Sequence, residues 1–296
     1  MAKVILSGSS GLLASNLLKA FDGDGNFEVV ALTSSELFKK QARKHSCIES
    51  VLRYDEVKDP SLFNDSVFIN CAFPRENDYS SLASGVKFTQ NLCSLAAEGR
   101  NTTIINISSQ SVYPLSRSCA ADELCEVGPD SAYGFAKYAC EEIVNSLYRR
   151  GRCANVRLAS LIGPGFDSRV VNRLVQNAIN DHRLIIKDSG ALFGFFDVRD
   201  AASAICVMAN SANDVELRGV YNLGYTGAAY SLSELASYVK DEAMARMIAC
   251  DVLFEDSKQS YRSSALSAEL FCRSFSWNPE IDIRHSISDI FRENIR

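Results

Sequence analysis

The chain has 296 residues, of which 47% are hydrophobic and 23% charged, a composition typical of a soluble globular protein with a substantial core. Its formal net charge is −5, and no basic block or aromatic-basic stripe is present, which argues against nucleic-acid binding. No apolar run approaches membrane-spanning length, and the apolar part of the N-terminus is too short for a signal peptide. We therefore expect a protein that binds neither nucleic acid nor membrane.

Cysteine and histidine usage narrows the class further. The ten cysteines are scattered without CxxC pairing, which is typical of reduced core cysteines in a cytoplasmic protein. The three histidines, His45, His182 and His285, lie far apart and without ligand spacing, so we predict no metal site. Their scarcity and the absence of GxSxG also argue against a Ser-His-Asp hydrolase.

Short apolar runs alternate with amphipathic stretches along the first half of the chain. The runs are KVILS, FEVVAL, SVFINCAF and TTIINIS, and ANVRLA and VYNLG follow later. This alternation predicts βαβ units, and the rhythm stops at the breaker cluster GPG at 163–165. We predict an α/β fold in which residues 1–165 form a Rossmann-type doubly wound parallel sheet, to which about 197–225 return. Residues 166–296 then form a smaller, mostly C-terminal α/β substrate lobe.

The first predicted strand leads directly into a glycine-containing turn, GSSGLLAS. Gly8 and Gly11 are three apart, and Ala14 follows at the same interval. A tight strand-to-helix turn and the close approach of a pyrophosphate both need residues without a side chain, and a small residue at Ala14 lets the helix lie close to the sheet. This segment predicts a binding site for the diphosphate of a dinucleotide.

The end of the second predicted strand, LTSS, bears on which dinucleotide is bound. Thr33 and Ser34 stand where an acidic side chain would hold the adenosine ribose of NAD, and three basic residues follow between 39 and 43. Without a carboxylate a 2′-phosphate is not repelled, which favours NADP, with NAD as the alternative. Ser34 or Ser35 could equally cap the following helix, and the two roles are compatible.

Two further segments carry candidate catalytic side chains. In SAYGFAKYACEE, Tyr133 and Lys137 are four apart and therefore share one face of a predicted helix. Taken alone, an exposed tyrosine beside an exposed lysine is the commoner explanation. NISSQSVYP places Ser108 and Ser109 at the carboxyl end of a buried strand, where open α/β sheets bind ligands, although serines are also common in such turns.

Taken in order, these segments resemble the extended short-chain dehydrogenase/reductase family, the NAD(P)-dependent epimerases, dehydratases and reductases of nucleotide sugars. The segments that resemble it span nearly the whole chain: GxxGxxA, NCA at 70–72, SSQSVYP, YxxxK, RLASLIGPG, FFDVRDAASAI, YNLG and WNPEIDIRHSISDI. The resemblance implies that the catalytic residues are Ser109, Tyr133 and Lys137. It implies cofactor contacts from Gly8, Ser10, Gly11, Leu12, Thr33, Ser34, Ala72, Tyr133 and Lys137.

The resemblance also implies a chemistry. The Lys137 ammonium stabilises the phenolate form of Tyr133, which then exchanges a proton with a sugar hydroxyl or ketone, while Ser109 hydrogen-bonds the same oxygen. The nicotinamide C4 gives or takes the hydride. An enzyme that keeps its cofactor would be a 4-epimerase, and one that exchanges NADPH would be a 4-ketoreductase. The alternative from a different class is a catalytically inactive NAD(P)-binding regulatory protein of the same fold.

Several positions depart from the family pattern. Gly85 and Ser160 each stand where an asparagine is usual, and Phe193 stands near the position of an arginine that often clamps the substrate diphosphate. The Asp-Glu pair that serves dehydratases is replaced by Gln110 and Ser111, so dehydration lacks its acid and base.

We expect the substrate, a nucleotide sugar, to lie between the catalytic residues and the lobe after residue 165. The predicted substrate contacts are Ser109, Gln110, Ser160, Arg169 and Arg173. Arg169 and Arg173 are four apart on a predicted helix and are favoured as the diphosphate clamp, the alternative being two solvated surface residues.

The resemblance finally implies a homodimer formed through the helix that begins near Tyr133. Phe135 and Tyr138 project from other sides of that helix than the catalytic pair, so one of them is expected near the interface.

Overall fold

The computed structural model describes residues 1–74, 78–147, 152–213, 216–226, 228–256, 258 and 262–295. Within these ranges no helix is both long enough and apolar enough to cross a lipid bilayer.

The strands form one large sheet and two small ones. In the described part of the chain, seven parallel strands pair in the order β10-β6-β5-β4-β1-β2-β3. The order reverses between β1 and β4, which opens a crevice at the carboxyl edge of the sheet, and the predicted Rossmann-type fold is confirmed. The strands are β1 (Ala2–Ser7), β2 (Phe27–Leu32), β3 (Ile48–Leu52), β4 (Ser66–Asn70), β5 (Thr103–Ser109), β6 (Arg152–Leu158), β7 (Ser160–Ile162), β8 (Arg183–Ile186), β9 (Phe195–Asp197), β10 (Arg218–Leu223) and β11 (Asp251–Phe254).

Helices cover both faces of the large sheet. They are α1 (Leu12–Asp24), α2 (Glu36–Gln41), α3 (Tyr79–Ala97), α4 (Ala132–Ser146), α5 (Val170–Asn180), α6 (Val198–Asn210), α7 (Leu232–Ala245), α8 (Glu269–Phe275) and α9 (Ile283–Asn294). One core cluster joins α1 and α6 to the sheet, and another joins α3 and α4 to its opposite face. This two-sided burial is why the central strands read as continuous apolar runs.

A separate apolar cluster forms the rest of the core. It joins α5, α7 and α9 to β8, which pairs with β11. Phe271, Phe275 and Trp277 instead pack with the first cluster, although they lie in the segment that the sequence assigns to the substrate lobe. The division at residue 165 therefore stays a prediction.

Most strand predictions match closely, and β3 is the exception within the large sheet. FEVVAL coincides with β2, and VYNLG overlaps β10. The sequence did not predict β3, Ile48–Leu52, because this edge strand is only partly buried and lacks an apolar run.

A row of polar side chains crosses the otherwise apolar centre of the large sheet. Ser7, Asn70, Asn106 and Asn155 are direct neighbours in register on β1, β4, β5 and β6, and all are buried. Ser7 Oγ donates to Asn70 Oδ1 (2.7 Å), Asn70 Nδ2 to Asn106 Oδ1 (3.0 Å), and Asn106 Nδ2 to Asn155 Oδ1 (2.8 Å). A one-residue slip of any strand would break this amide row, so the row fixes the register.

The amide row is anchored at both ends. Ser7 Oγ accepts a hydrogen bond from Ala72 N (3.2 Å), next to the glycine turn. At the other end Asn155 Nδ2 donates to Asn145 Oδ1 (2.9 Å) on the exposed side of α4. The row thus connects the turn after β1 with the helix that carries Tyr133 and Lys137.

Asn106→Leu should lower the free energy of unfolding by about 2–6 kcal/mol, because it leaves two buried amide groups without a partner, at roughly 1–3 kcal/mol each. Chemical denaturation measures the loss. Asn145→Leu at the exposed end is the matched control and should cost about 1 kcal/mol or less. Equal losses for the two variants would show that the row does not stabilise the sheet.

Candidate active site

The turn between β1 and α1 fits the diphosphate of a dinucleotide. Gly8 has a φ of +68°, and a Cβ there would lie 2.8 Å from Ala72 N, so a side chain is excluded on both counts. No side chain caps the amino terminus of α1, which begins at Leu12 after Gly11, and Ser10 in the turn is exposed. The first backbone N–H groups of this helix are therefore open to an anion.

Helix α4 brings Tyr133 and Lys137 to the carboxyl edge of the sheet. Its N-cap is Ser131, whose Oγ accepts from Gly134 N (3.1 Å). Lys137 is 6% exposed and its Nζ donates to the carbonyl oxygen of Ile107 (2.6 Å), two residues before Ser109 on β5. The lysine is thus not a solvated surface residue, and the functional interpretation of the Tyr-Lys pair is favoured.

The segment from Ser109 to Ser111 packs closely against the backbone of the same helix. A Cβ on Gly134 would lie 2.2 Å from the carbonyl oxygen of Ser111, so only glycine fits beside Tyr133. Ser109 Oγ accepts from Ser111 N and donates to Ser111 Oγ, both at 3.2 Å. The catalytic serine predicted from the sequence therefore lies in the segment that packs on the start of α4.

The departure at Gly85 has a packing reason. Phe73, which follows Ala72, lies with its ring centroid 4.3 Å from Lys137 Nζ and 5.8 Å from the Tyr133 ring. A Cβ on Gly85 of α3 would lie 2.5 Å from Pro74 Cδ and 3.1 Å from Phe73. An asparagine at position 85 would therefore clash with the Pro74 ring and press on the Phe73 ring, which is in cation–π contact with the ammonium.

Below the site lies a buried ion pair that sequence reasoning did not identify as such. Glu141, one turn after Lys137, binds Arg157 of β6 through two nitrogens, with Nη2 to Oε2 at 2.7 Å and Nε to Oε1 at 3.0 Å. The hydroxyl of Ser108 donates to the same carboxylate. Burial by itself lowers the pKa of Arg157, but the hydrogen bonds and charge of Glu141 outweigh it and raise the pKa.

The network continues into the loop after β5. The Arg157 guanidinium lies over the Tyr113 ring at 4.7 Å, and Tyr113 Oη donates to Asn222 Oδ1 (3.0 Å). Asn222 N in turn donates to Glu123 Oε1 (2.7 Å). Burial raises the pKa of both Tyr113 and Glu123. These contacts hold the loop after β5 against β6 and β10.

The two altered substrate positions are in contact with one another. Gln110 Nε2 donates to Ser160 Oγ (3.0 Å), and Oε1 of the same amide is buried without a hydrogen-bond partner. A carboxamide, that of Gln110, thus lies beside position 160, although it comes from the end of a different strand. It offers an acceptor but no acid or base, so dehydration would lack its proton carriers here.

The hydroxyls after β2 serve the local backbone. Thr33 is 3% exposed, and its Oγ1 accepts from Ser35 N (3.0 Å). Ser35 caps α2 by accepting from Phe38 N (3.2 Å), so the capping interpretation holds for this serine. Ser34 is exposed and makes no side-chain contact that constrains it within the described residues.

The arginines expected to clamp a diphosphate lie at the start of α5. Arg169 is the N-cap with an extended backbone, one residue before the helix rather than inside it, and its guanidinium lies 5.4 Å from the Phe166 ring centroid. Arg173 N donates to Arg169 O (2.8 Å), and both side chains are exposed. Phe193, at the usual arginine position, stacks on Phe195 at 6.2 Å.

Among the described residues, no group of three histidine, cysteine, aspartate or glutamate side chains is arranged to hold a metal ion. All ten cysteines are free thiols.

The sequence of residues 4–224 matches the model of the NAD dependent epimerase/dehydratase family. The chain belongs to this family, and the resemblance drawn from its motifs is confirmed. No curated protein sequence matches the chain significantly.

Solved structures of similar fold include enzymes whose names give a nucleotide sugar as the substrate. UDP-glucuronic acid 4-epimerase from Bacillus cereus, in complex with UDP-glucuronic acid and NAD, superposes with a TM-score of 0.84 at 16% identity, covering 98% of each chain. UDP-N-acetylglucosamine 4-epimerase from Bacillus cereus gives 0.81 at 21% identity, covering 99% of this chain and 96% of that one. dTDP-glucose 4,6-dehydratase from Bacillus anthracis, in complex with NAD, gives 0.78 at 16% identity, covering 100% and 97%.

Proposed function

We propose that the protein transfers a hydride at C4 of a nucleotide-linked sugar, as a 4-epimerase or a 4-ketoreductase. One observation carries the proposal: the Lys137 ammonium is bound to the carbonyl of Ile107, so the Tyr-Lys helix and the strand that ends in Ser109 meet at one point. A protein that only sensed a dinucleotide would not need this arrangement, which argues against the regulatory alternative.

Each side chain has a defined role in this reaction. Tyr133 takes the proton from a sugar hydroxyl during oxidation and returns it during reduction. Ser109 donates a hydrogen bond to the same oxygen, and the Lys137 ammonium stabilises the phenolate. A bound nicotinamide dinucleotide supplies the hydride acceptor and donor.

The cofactor would be held by the turn and strand ends at the carboxyl edge of the sheet. The proposed contacts are Gly8, Ser10, Gly11, Leu12, Thr33, Ser34 and Ala72, together with Tyr133 and Lys137. The open amino terminus of α1 supports a diphosphate there. The LTSS segment taken by itself predicts NADP, with NAD as the alternative.

We propose that Gln110 and Ser160, which are hydrogen-bonded to one another, form a wall of the sugar pocket next to Ser109. We propose that the 1–165 segment, with 197–225 returning to it, holds the cofactor and that 166–296 mostly holds the substrate. A cytoplasmic location is the corresponding proposal from ten free cysteines, since thiols persist in a reducing compartment.

Tyr133→Phe should lower turnover at least about 100-fold while the fold survives, because it removes the proton carrier and keeps the ring. The assay follows conversion of UDP-glucose, UDP-glucuronic acid and UDP-N-acetylglucosamine, and reduction of the corresponding 4-keto sugars. Tyr138→Phe on the same helix is the control and should retain activity. Near-normal turnover of Tyr133→Phe would contradict the assigned chemistry.

Arg169→Ala and Arg173→Ala should each raise KM for the nucleotide sugar and leave dinucleotide binding intact, because a diphosphate in a protein of net charge −5 needs local cations. Initial-rate kinetics separate KM from kcat. Arg183→Ala, an exposed arginine at the start of β8, is the matched control. If neither variant changes KM, the two arginines are solvated surface residues.

We also propose a two-fold homodimer formed through α3 and α4. These helices pack together on one face of the sheet, and Phe135 on α4 is 60% exposed, whereas Tyr138 is half-buried. Phe135→Lys should therefore yield monomers in light scattering at micromolar concentration. A wild-type protein that is already monomeric under these conditions would contradict the dimer.

A further inference from the structure

A charged pair lies beside Thr33 at the carboxyl ends of β2 and β3. Thr33 N donates to Leu52 O (3.0 Å), the last residue of β3, so Arg53, which follows that strand, stands next to Thr33. Its Nη1 donates to Glu36 Oε1 (2.6 Å), and its Nε donates to Asp55 Oδ1 (3.3 Å). Glu36 is the first residue of α2, three positions after Thr33. The residue after β2, Thr33, carries no carboxylate, but Glu36 at the start of α2 carries one three positions later.

The segment that carries Arg53 is locked against the glycine turn. The hydroxyl of Tyr54 accepts from Gly8 N (2.7 Å) and donates to Leu32 O (3.1 Å). Its ring packs edge-on against Phe88 at 4.8 Å. The backbone that carries Arg53 is therefore held next to the turn where the diphosphate would bind. An adenosine ribose follows the diphosphate on this side of the sheet.

The charged groups around Arg53 disfavour binding of the 2′-phosphate that distinguishes NADP from NAD. One guanidinium faces the carboxylates of Glu36 and Asp55, and the backbone N–H of Arg53 donates to a third, Glu56 Oε2 (2.6 Å). The charge and hydrogen bonds of Glu36, followed by those of Asp55, raise the pKa of Arg53. A phosphate monoester adds about −1.5 to −2 charges at neutral pH, so it would have to displace a carboxylate to reach the arginine.

We propose that Glu36 selects NAD over NADP by accepting hydrogen bonds from the adenosine ribose hydroxyls, and that Arg53 positions Glu36 for this role. This inference rests on the proposed dinucleotide binding and deepens it. It assigns the preference to a carboxylate that the LTSS segment does not contain, which is why Thr33 alone pointed towards NADP.

The exposure of Glu36 and Arg53 fits a role in cofactor recognition better than a role in stabilising the fold. The side chains of Arg53 and Glu36 are 45% and 63% exposed, and exposed ion pairs contribute little to stability. A ligand can therefore reach both groups, and either residue can be replaced without unfolding the protein. Removing Glu36 alone would release Arg53 to meet a 2′-phosphate, since a guanidinium matches the geometry of phosphate oxygens.

The test is the dissociation constant of NADH and NADPH for the full-length protein, measured by nicotinamide fluorescence. The wild type should bind NADH at least about tenfold more tightly, because like charges repel the 2′-phosphate. Glu36→Gln should weaken NADH about fivefold and strengthen NADPH about tenfold, the scale of one charge a few ångströms away. Adding Arg53→Gln to that variant should abolish the gain for NADPH.

Glu28→Gln is the matched control, since it removes an exposed carboxylate from β2 away from the carboxyl edge, and both affinities should stay unchanged. Tighter binding of NADPH than of NADH by the wild type would overturn the inference, and so would an unchanged ratio in Glu36→Gln. If neither dinucleotide binds the wild type, both this inference and the proposed function fail. If both dinucleotides bind and the ratio of their dissociation constants is the same in the wild type and in Glu36→Gln, only this inference fails.

Discussion

The site depends on one buried ion pair, that of Glu141 with Arg157, which ties helix α4 to the sheet. Both side chains are at most 4% exposed, and separating such a pair leaves an uncompensated charge in the interior, which costs about 3–5 kcal/mol. The carboxylate also accepts the hydroxyl of Ser108, so a single group joins α4, β5 and β6. Tyr133 and Lys137 precede Glu141 on the same helix, so the ion pair that holds α4 against the sheet also determines where these two side chains lie.

Arg157 extends this constraint to the substrate side. Its planar guanidinium lies over the Tyr113 ring, and Tyr113 holds Asn222 at the end of β10. The loop after β5 is therefore braced by groups from two other strands. A rigid support of this kind keeps catalytic side chains within hydrogen-bond reach of a reacting oxygen, which is the condition for proton transfer and charge stabilisation.

The sequence predicted the fold class, because long apolar strands and a glycine turn are local signals that survive without tertiary information. Short local motifs also pointed to Ser109, Tyr133 and Lys137 through the family resemblance that they carry, and the catalytic roles of these residues stay a prediction. The partners of these residues were not predictable in the same way. Arg53 and Glu36 are 17 positions apart, and no local pattern in either segment predicts that the two side chains form an ion pair. The small strands β7, β8, β9 and β11 were missed because three or four residues carry too little periodicity, and only packing makes them strands.

The amide row across the sheet restricts how this sequence can change. Every bond in it points the same way, from the backbone of Ala72 towards Asn145, so each interior asparagine donates to one neighbour and accepts from the other. A carboxylate of the same shape could accept but not donate, and an aliphatic side chain could do neither. Exchange of the whole row for aliphatic residues would leave without a partner only the groups at its ends, Ala72 N and the amide of the exposed Asn145. Replacement of Asn106 alone would instead leave two buried amide groups without a partner. A replacement at one of these positions therefore keeps every buried amide paired only if it is matched by a replacement on the neighbouring strand, which couples four strands of the sheet through side chains as well as through the backbone.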